Sequence, residues 1–226
     1  MDYFGVDDQD LSSYAGPTPW CNWVLKGRVM AGGYPASLGD HDNDQLLLML
    51  MRDVGIDTFV CLQSEVNPNA SEFAWRAGRA PRPYMRDVRR ILAKHHAEMP
   101  NANIDFLHLP IHDGLVTADA LVDSFCDDLI ARVNAGRCMY IHCWGGHGRT
   151  GTVVAVMLGR MFNMSVPKAL IRTQRLHDSR EIPQDCRSPS TPCQRAQVVR
   201  LLEGSRKKPH TGNLMLTTAR GGQVGG

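Results

Sequence analysis

The sequence predicts a single-domain α/β fold, a central and mostly parallel sheet flanked by helices. Three observations carry that prediction. With 226 residues, 43% of them hydrophobic, the chain can build one full core with short appendages. Short apolar runs alternate along it with segments whose apolar residues recur at helical spacing. At residues 138–158 an apolar run passes through a glycine-rich turn into an uncharged helix start, so strand, turn and helix follow one another directly.

Residues 1–23 are an N-terminal extension. Its first nineteen residues are rich in Asp, Ser, Gly and Pro and are expected to be poorly ordered, whereas 20–25 carry enough aromatic weight to pack onto the domain. Residues 27–31 read as an edge strand, followed by the turn Gly32-Gly33-Tyr34-Pro35. A helix over 43–53 and a central strand over 56–62 come next. An alternating strand begins near Asn103 and ends at Pro110. Thr117 is expected to cap a helix reaching about Ala135, with Leu121, Val122, Phe125, Leu129 and Val133 as its buried stripe. After the strand at 138–141 and the helix from 152 comes a helix over 164–174. In the last helix Thr191 is the cap, Pro192 the first residue and Leu202 the end. From Gly204 onward, lysines, glycines and small polar residues predict a flexible tail, 204–226.

A formal net charge of +2 is too balanced to argue for a nucleic-acid partner. Seven cysteines, an odd number without regular spacing, give no zinc pattern, and His108 with His112 read as loop residues rather than a ligand pair. No metal and no cofactor are expected. No apolar run reaches membrane length, so no membrane partner is expected, and the acidic start is neither signal nor transit peptide. The expectation is a monomer in a reducing compartment, cytoplasmic with the nucleus as the alternative.

The chemistry concentrates in His142-Cys143-Trp144-Gly145-Gly146-His147-Gly148-Arg149-Thr150-Gly151. A glycine-rich turn from a strand into a helix points several backbone N–H groups at one spot and adds the positive end of a helix dipole, which makes an anion site. The same groups favour the thiolate of a cysteine at the start of the turn. Arg149 supplies a planar fork that matches two phosphate oxygens at once. Anion cradle, thiolate and fork together specify phosphate-ester chemistry.

This stretch resembles the signature loop of the cysteine-dependent protein tyrosine and dual-specificity phosphatases, His-Cys-x5-Arg-Thr/Ser-Gly, and every fixed position is present. The resemblance spans roughly residues 24–203, which makes that range the phosphatase domain. It implies attack by Cys143 on phosphorus, a phosphocysteine, and hydrolysis of that intermediate by water. Arg149 and the N–H groups of Trp144, Gly145, Gly146, His147 and Gly148 would hold the phosphate. Thr150 would assist departure of the sulfur and His142 would orient the loop. His147 could add a pH-dependent positive charge or be an exposed loop histidine. Trp144 could wall the pocket or pack on the neighbouring helix.

The family supplies its general acid from a separate loop. Pro110-Ile111-His112-Asp113-Gly114 resembles that loop and nominates Asp113, with Asp119 as competitor and an ordinary Asp-Gly turn as the other reading. By the same resemblance Gln194, or Gln197 one turn later, would orient the hydrolytic water. Cys61 stands where some relatives carry a thiol that forms a disulfide with the oxidised nucleophile; a buried strand cysteine is the alternative. The segment 76–90 carries Arg76, Arg79, Arg82, Arg86, Arg89 and Arg90 against one acid. It is expected either to recognise acidic or multiply phosphorylated substrates from the active-site side or to be a solvated basic face. Trp144 and His147 stand where lipid-directed relatives place lysines, so a phosphoprotein is the expected substrate, with tyrosine first and serine or threonine also possible. The Gly-Gly of 145–146 and the Ile-His-Asp-Gly loop loosely resemble the cyclin-dependent-kinase-associated phosphatase branch. A non-protein phosphate ester and a non-catalytic phosphoprotein-binding adaptor are the competing functions.

Overall fold

The computed structural model describes residues 11–100 and 102–207. Among these, one five-stranded sheet runs in the order β1-β2-β5-β3-β4. The strands are β1 (Cys21–Leu25), β2 (Val29–Gly32), β3 (Thr58–Gln63), β4 (Asp105–Ile111) and β5 (Met139–His142). β1 pairs antiparallel with β2, and the other pairings are parallel.

Side chains alternate between the faces of a strand, and both faces here are covered. Val29, Ala31, Val60, Leu62, Met139 and Ile141 share one cluster with four helices: α4 (Asp119–Asn134), α5 (Gly148–Met161), α6 (Val166–Asp178) and α7 (Pro192–Lys207). Met30, Phe59 and Tyr140, on the opposite face, pack with α1 (Asp40–Leu48) and α3 (Tyr84–Lys94). A short α2 (Glu72–Arg76) lies between β3 and α3. α5 is apolar on all sides from Val153 to Leu158 because it lies between the sheet and its three neighbours, and every residue from Gly148 to Gly159 is buried.

β5 occupies the middle, so the chain skips over it from β2 to β3 and returns to it from β4. Open α/β sheets place their sites at the carboxyl ends of strands flanking such a switch point. Register makes the point concrete: Gly32 and Cys61 both pair with His142, and Gln63 pairs with Ile111. The segments leaving β2, β3, β4 and β5 therefore emerge side by side next to Cys143.

Several expectations need correction. Residues 27–31 are not the edge: residues 21–25, read only as an aromatic packing segment, form β1 and put β2 inside the sheet. The described part of the extension packs onto the domain rather than being poorly ordered, since Tyr14 is buried and Lys26 and Arg172 lie over its ring. The last helix, expected to end at Leu202, runs on to Lys207 and takes in the first residues of the expected tail, while residues 1–10 and 208–226 lie outside the described residues. Thr117 does not cap α4, whose N-cap is Ala118 without a side-chain bond. Leu121 is 52% exposed and Cys126 takes the core position, because the buried face runs through Val122, Cys126, Leu129 and Val133. The helix predicted over 164–174 continues one turn further, to Asp178.

Candidate active site

Cys143 leaves the end of β5 with 3% of its surface exposed, at the base of a cleft of about 720 Å³. Arg149 and Thr150 lie in the first turn of α5, both buried. The Nη1 of Arg149 donates to both carboxylate oxygens of Glu65 (2.9 and 2.8 Å) and to the Ile111 carbonyl (3.0 Å). Its Nε is buried and makes no hydrogen bond, nor does Thr150 Oγ1, while its buried Nη2 is ion-paired with Asp113. A buried donor without a partner costs about 1–3 kcal/mol, so the free Nε of Arg149 in the cleft that Cys143 also lines marks a site built for an acceptor. Burial pushes the Glu65 carboxyl up, but hydrogen bonds from its own backbone N–H and from Arg149 outweigh this and hold it below the usual range.

His142, next to Cys143, is fully buried. Its Nδ1 lies 3.4 Å from the Cys143 carbonyl, which can only accept, so that nitrogen carries the proton. Nε2 then accepts from the Tyr84 hydroxyl at 2.7 Å. Burial drives this imidazole down to about 3, so it is a neutral hydrogen-bonding spacer. Tyr34 braces the same corner: its N–H donates to the Trp144 carbonyl (2.8 Å), and its ring lies edge-on to Tyr84 and His142 and stacks on Trp144.

The rear of the loop is held by the end of α6 and the segment after it. Arg180 donates to the carbonyls of Gly145 (3.1 Å) and Gly146 (2.9 Å) and, through Nε, to Asn22 (2.8 Å). Ser188 Oγ donates to the His147 carbonyl at 2.9 Å. His147 itself lies between His177 Nε2 (2.7 Å) and Gln184 Oε1 (2.8 Å). Gly146 has φ +74°, and a Cβ there would run into the Gly32 carbonyl, so only glycine lets the loop pass this close to β2.

Residues 18–197 match the family described as "Swiss Army Knife protein, DSP-PTPase phosphatase domain". The chain belongs to this phosphatase family. Among curated proteins, "Putative tyrosine phosphatase 067L" of Invertebrate iridescent virus 3 is 31% identical over 98 residues, 38% of this chain and 36% of that protein. "Uncharacterized protein MJECL20" of Methanocaldococcus jannaschii is 42% identical over 57 residues, 25% of this chain and 38% of that one. The chain thus spans little more than a third of the curated relatives it matches. Three solved structures share the fold. Tk-PTP in its active form has a TM-score of 0.54 at 22% identity, covering 82% of this chain and 97% of its own. PTPMT1 in complex with PI(5)P has 0.55 at 16%, covering 82% and 96%. Kinase associated phosphatase has 0.52 at 16%, covering 80% and 88%.

Within this phosphatase domain, the cleft is lined by Asp113, Cys143, Trp144, Gly145, His147, Gly148, Arg149 and Gln194 together. Asp113 has 86% of its side chain exposed, with Oδ1 3.0 Å from Arg149 Nη2. Asp119 is elsewhere: it opens α4, paired with Arg200, whose hydrogen bonds hold its carboxyl below the usual range. Gln194 abuts the loop, since a Cβ on Gly148 would lie 2.6 Å from its Oε1. That oxygen accepts from Thr191 N–H while Thr191 Oγ1 accepts from Gln194 N–H, a reciprocal cap on α7. Gln197 instead bonds Thr117 and Asp119. Trp144 rims the cleft, 62% exposed. His147 is neither exposed filler nor a cation at neutral pH, because burial lowers its proton affinity. His108 and His112 bond Gln63 and Ser64. Cys61 is buried in β3, where burial pushes its thiol up to about 12, and all seven cysteines are free.

The arginines of 76–90 fold back onto their own domain. Arg76 pairs with Asp40 and Glu72, Arg82 with Asp40 and Asp87, and Arg90 with Asp44 and Asp87. Arg86 bonds the Ala70 carbonyl, while Arg79 and Arg89 lie over Phe73 and Phe106.

Sequence reasoning missed Glu65, Tyr84, His177 and Arg180. Glu65 had a usable signal, a carboxylate just past the strand that neighbours the nucleophile's strand. Tyr84 and His177 act from helices, and Arg180 from the segment just past α6, whose docking only the tertiary structure reveals.

Proposed function

We propose that this phosphatase acts on phosphoproteins, on phosphotyrosine first and on phosphoserine or phosphothreonine second, through a phosphocysteine intermediate. The observation that carries the proposal is the buried Arg149 guanidinium, its Nε without a hydrogen bond, lining one cleft with the buried Cys143 thiol and with Asp113. In this reading the Cys143 thiolate attacks phosphorus in line, and the bond to the leaving oxygen breaks as Asp113 protonates that oxygen. Nε and Nη2 of Arg149 and the loop N–H groups take the equatorial oxygens, where the charge resides. Water then attacks phosphorus and the sulfur–phosphorus bond breaks, with the Thr150 hydroxyl easing departure of the thiolate and Gln194, against Gly148, orienting the water. Cys61 is assigned as the thiol that condenses with Cys143 sulfenic acid after peroxide, losing water.

A second reading, a non-protein phosphate ester, is favoured by the size of the cleft, which exceeds what a phosphorylated side chain fills. Trp144 and His147 in place of loop lysines weigh against a polyphosphorylated headgroup.

The test is hydrolysis of a small aryl phosphate against pH by the wild type, Cys143→Ser and Asp113→Asn. Abolished turnover in the serine variant and a lost basic-side decline in the asparagine variant are expected. A wild type that binds vanadate without turnover would make the chain a phosphate-binding adaptor.

A further inference from the structure

The carbonyls of Trp144, Gly145, Gly146 and His147 each accept a hydrogen bond from outside the loop, from Tyr34 N–H, Arg180 Nη1, Arg180 Nη2 and Ser188 Oγ in turn. In a planar trans peptide the C=O and the N–H of the next residue point in opposite directions. Fixing these carbonyls outward therefore aims the N–H groups of Gly145, Gly146, His147 and Gly148 the other way. That direction is the cleft. Arg180 is absent from its lining and instead borders a small space behind the loop with Asn22, Gly146 and Gly151.

We propose that Arg180, anchored by Asn22, is a positioning residue that sets the phosphate cradle from behind, an inference resting on the phosphate-site reading above. One guanidinium supplies two of the four straps, and its third nitrogen is tied to Asn22, itself buried in β1. The three bonds leave three nitrogens of one rigid plane for three different acceptors, a geometry that a lysine ammonium does not reproduce. Its charge also lies directly behind the anion site without touching the substrate. The N-terminal strand thereby becomes part of the site's support, although it lies at the opposite sheet edge from the Asp113 loop.

The experiment uses the full chain with orthovanadate as the probe, aryl phosphate turnover and thermal melting. Arg180→Lys should raise the vanadate Kd and lower kcat by about tenfold or more, the scale of losing preorganised donors. Its dependence on Asp113 in the pH profile should be unchanged. Asn22→Ala, which keeps the arginine but frees its Nε, should move both in the same direction by less, and it decides the matter if Arg180→Lys does not fold. Leu202→Ala, a core truncation in α7, should lower Tm while leaving the vanadate Kd within about a factor of two, since its site lies outside the cradle. Wild-type Kd and kcat in Arg180→Lys would overturn the inference, as would equal weakening by Leu202→Ala at equal loss of Tm. A wild type that binds no vanadate would overturn the phosphate-site reading itself, and this inference with it.

Discussion

Arg149 divides its donors between two tasks. Nη1 faces Glu65 and the Ile111 carbonyl, which fix the plane of the guanidinium, while Nη2 faces Asp113 and Nε is left for an acceptor. Glu65→Gln keeps the shape and an acceptor oxygen but removes the charge that holds Nη1, and a hydrogen bond to a charged group contributes about 1.5–3 kcal/mol. Its kcat/KM on aryl phosphate should fall by about tenfold, with vanadate affinity reduced in step; unchanged kinetics would show that Glu65 merely neutralises Arg149. At Gly146 the positive φ and the nearby Gly32 carbonyl act together. Gly146→Ala should cost about 1–3 kcal/mol in urea unfolding and abolish vanadate binding, because the loop must move away from β2 to admit a methyl. Cys143, Arg149 and Thr150 were legible because they lie within one contiguous run. Glu65 left only its place just past β3 as a trace, because it reaches Arg149 through the pairing of β3 with β5.

Among the elements, α3 shows how charge can hide structure. Its six neighbouring arginines suggested a basic surface, yet Tyr84, Val88 and Ile91 fall at helical spacing and are buried against α1 and Phe59. The charged residues lie between them and pair with Asp40, Asp44 and Asp87, so the arginines knit α1 to α3. The helix also delivers the Tyr84 hydroxyl to His142. Tyr84→Phe keeps the ring contacts but leaves a buried imidazole nitrogen without its donor, a loss of about 1–3 kcal/mol. Melting should report that loss, and kcat should fall through the freed His142–Cys143 contact; a stability loss with full kcat would confine Tyr84 to packing. The edge strand was misplaced for a related reason. Residues 21–25 are nearly continuous in burial, so they offered no alternation to read, and their aromatic content looked like a packing segment.

At the scale of the whole molecule, the Cys143–Arg149 loop rests on neutral histidines, and this couples the fold to pH. Burial lowers His142 to about 3 and His177 to about 4, and it lowers His147 as well. In the unfolded chain each titrates near 6.5, so between about pH 6.5 and 4 the unfolded state binds more protons. Stability is therefore independent of these groups above about pH 6.5 and falls as the pH drops below it, by up to about 1.4 kcal/mol per pH unit for each histidine. The hydrogen-bonded carboxylates Asp44, Glu65 and Asp119 are held low, so their contribution is present above the unfolded carboxylate range, about pH 4, and is lost only on further acidification. The two windows separate. Urea unfolding from pH 7.5 to 4.5 should show a plateau and then a decline beginning near 6.5, and His177→Gln, which keeps a donor for His147, should reduce that slope by about one proton's share. A flat profile down to pH 4.5, or an unchanged slope in His177→Gln, would mean that these imidazoles take up protons in the native state. His147 would then carry charge inside the phosphate loop at mildly acid pH, and the vanadate Kd of the wild type would tighten over the same interval instead of weakening with the fold.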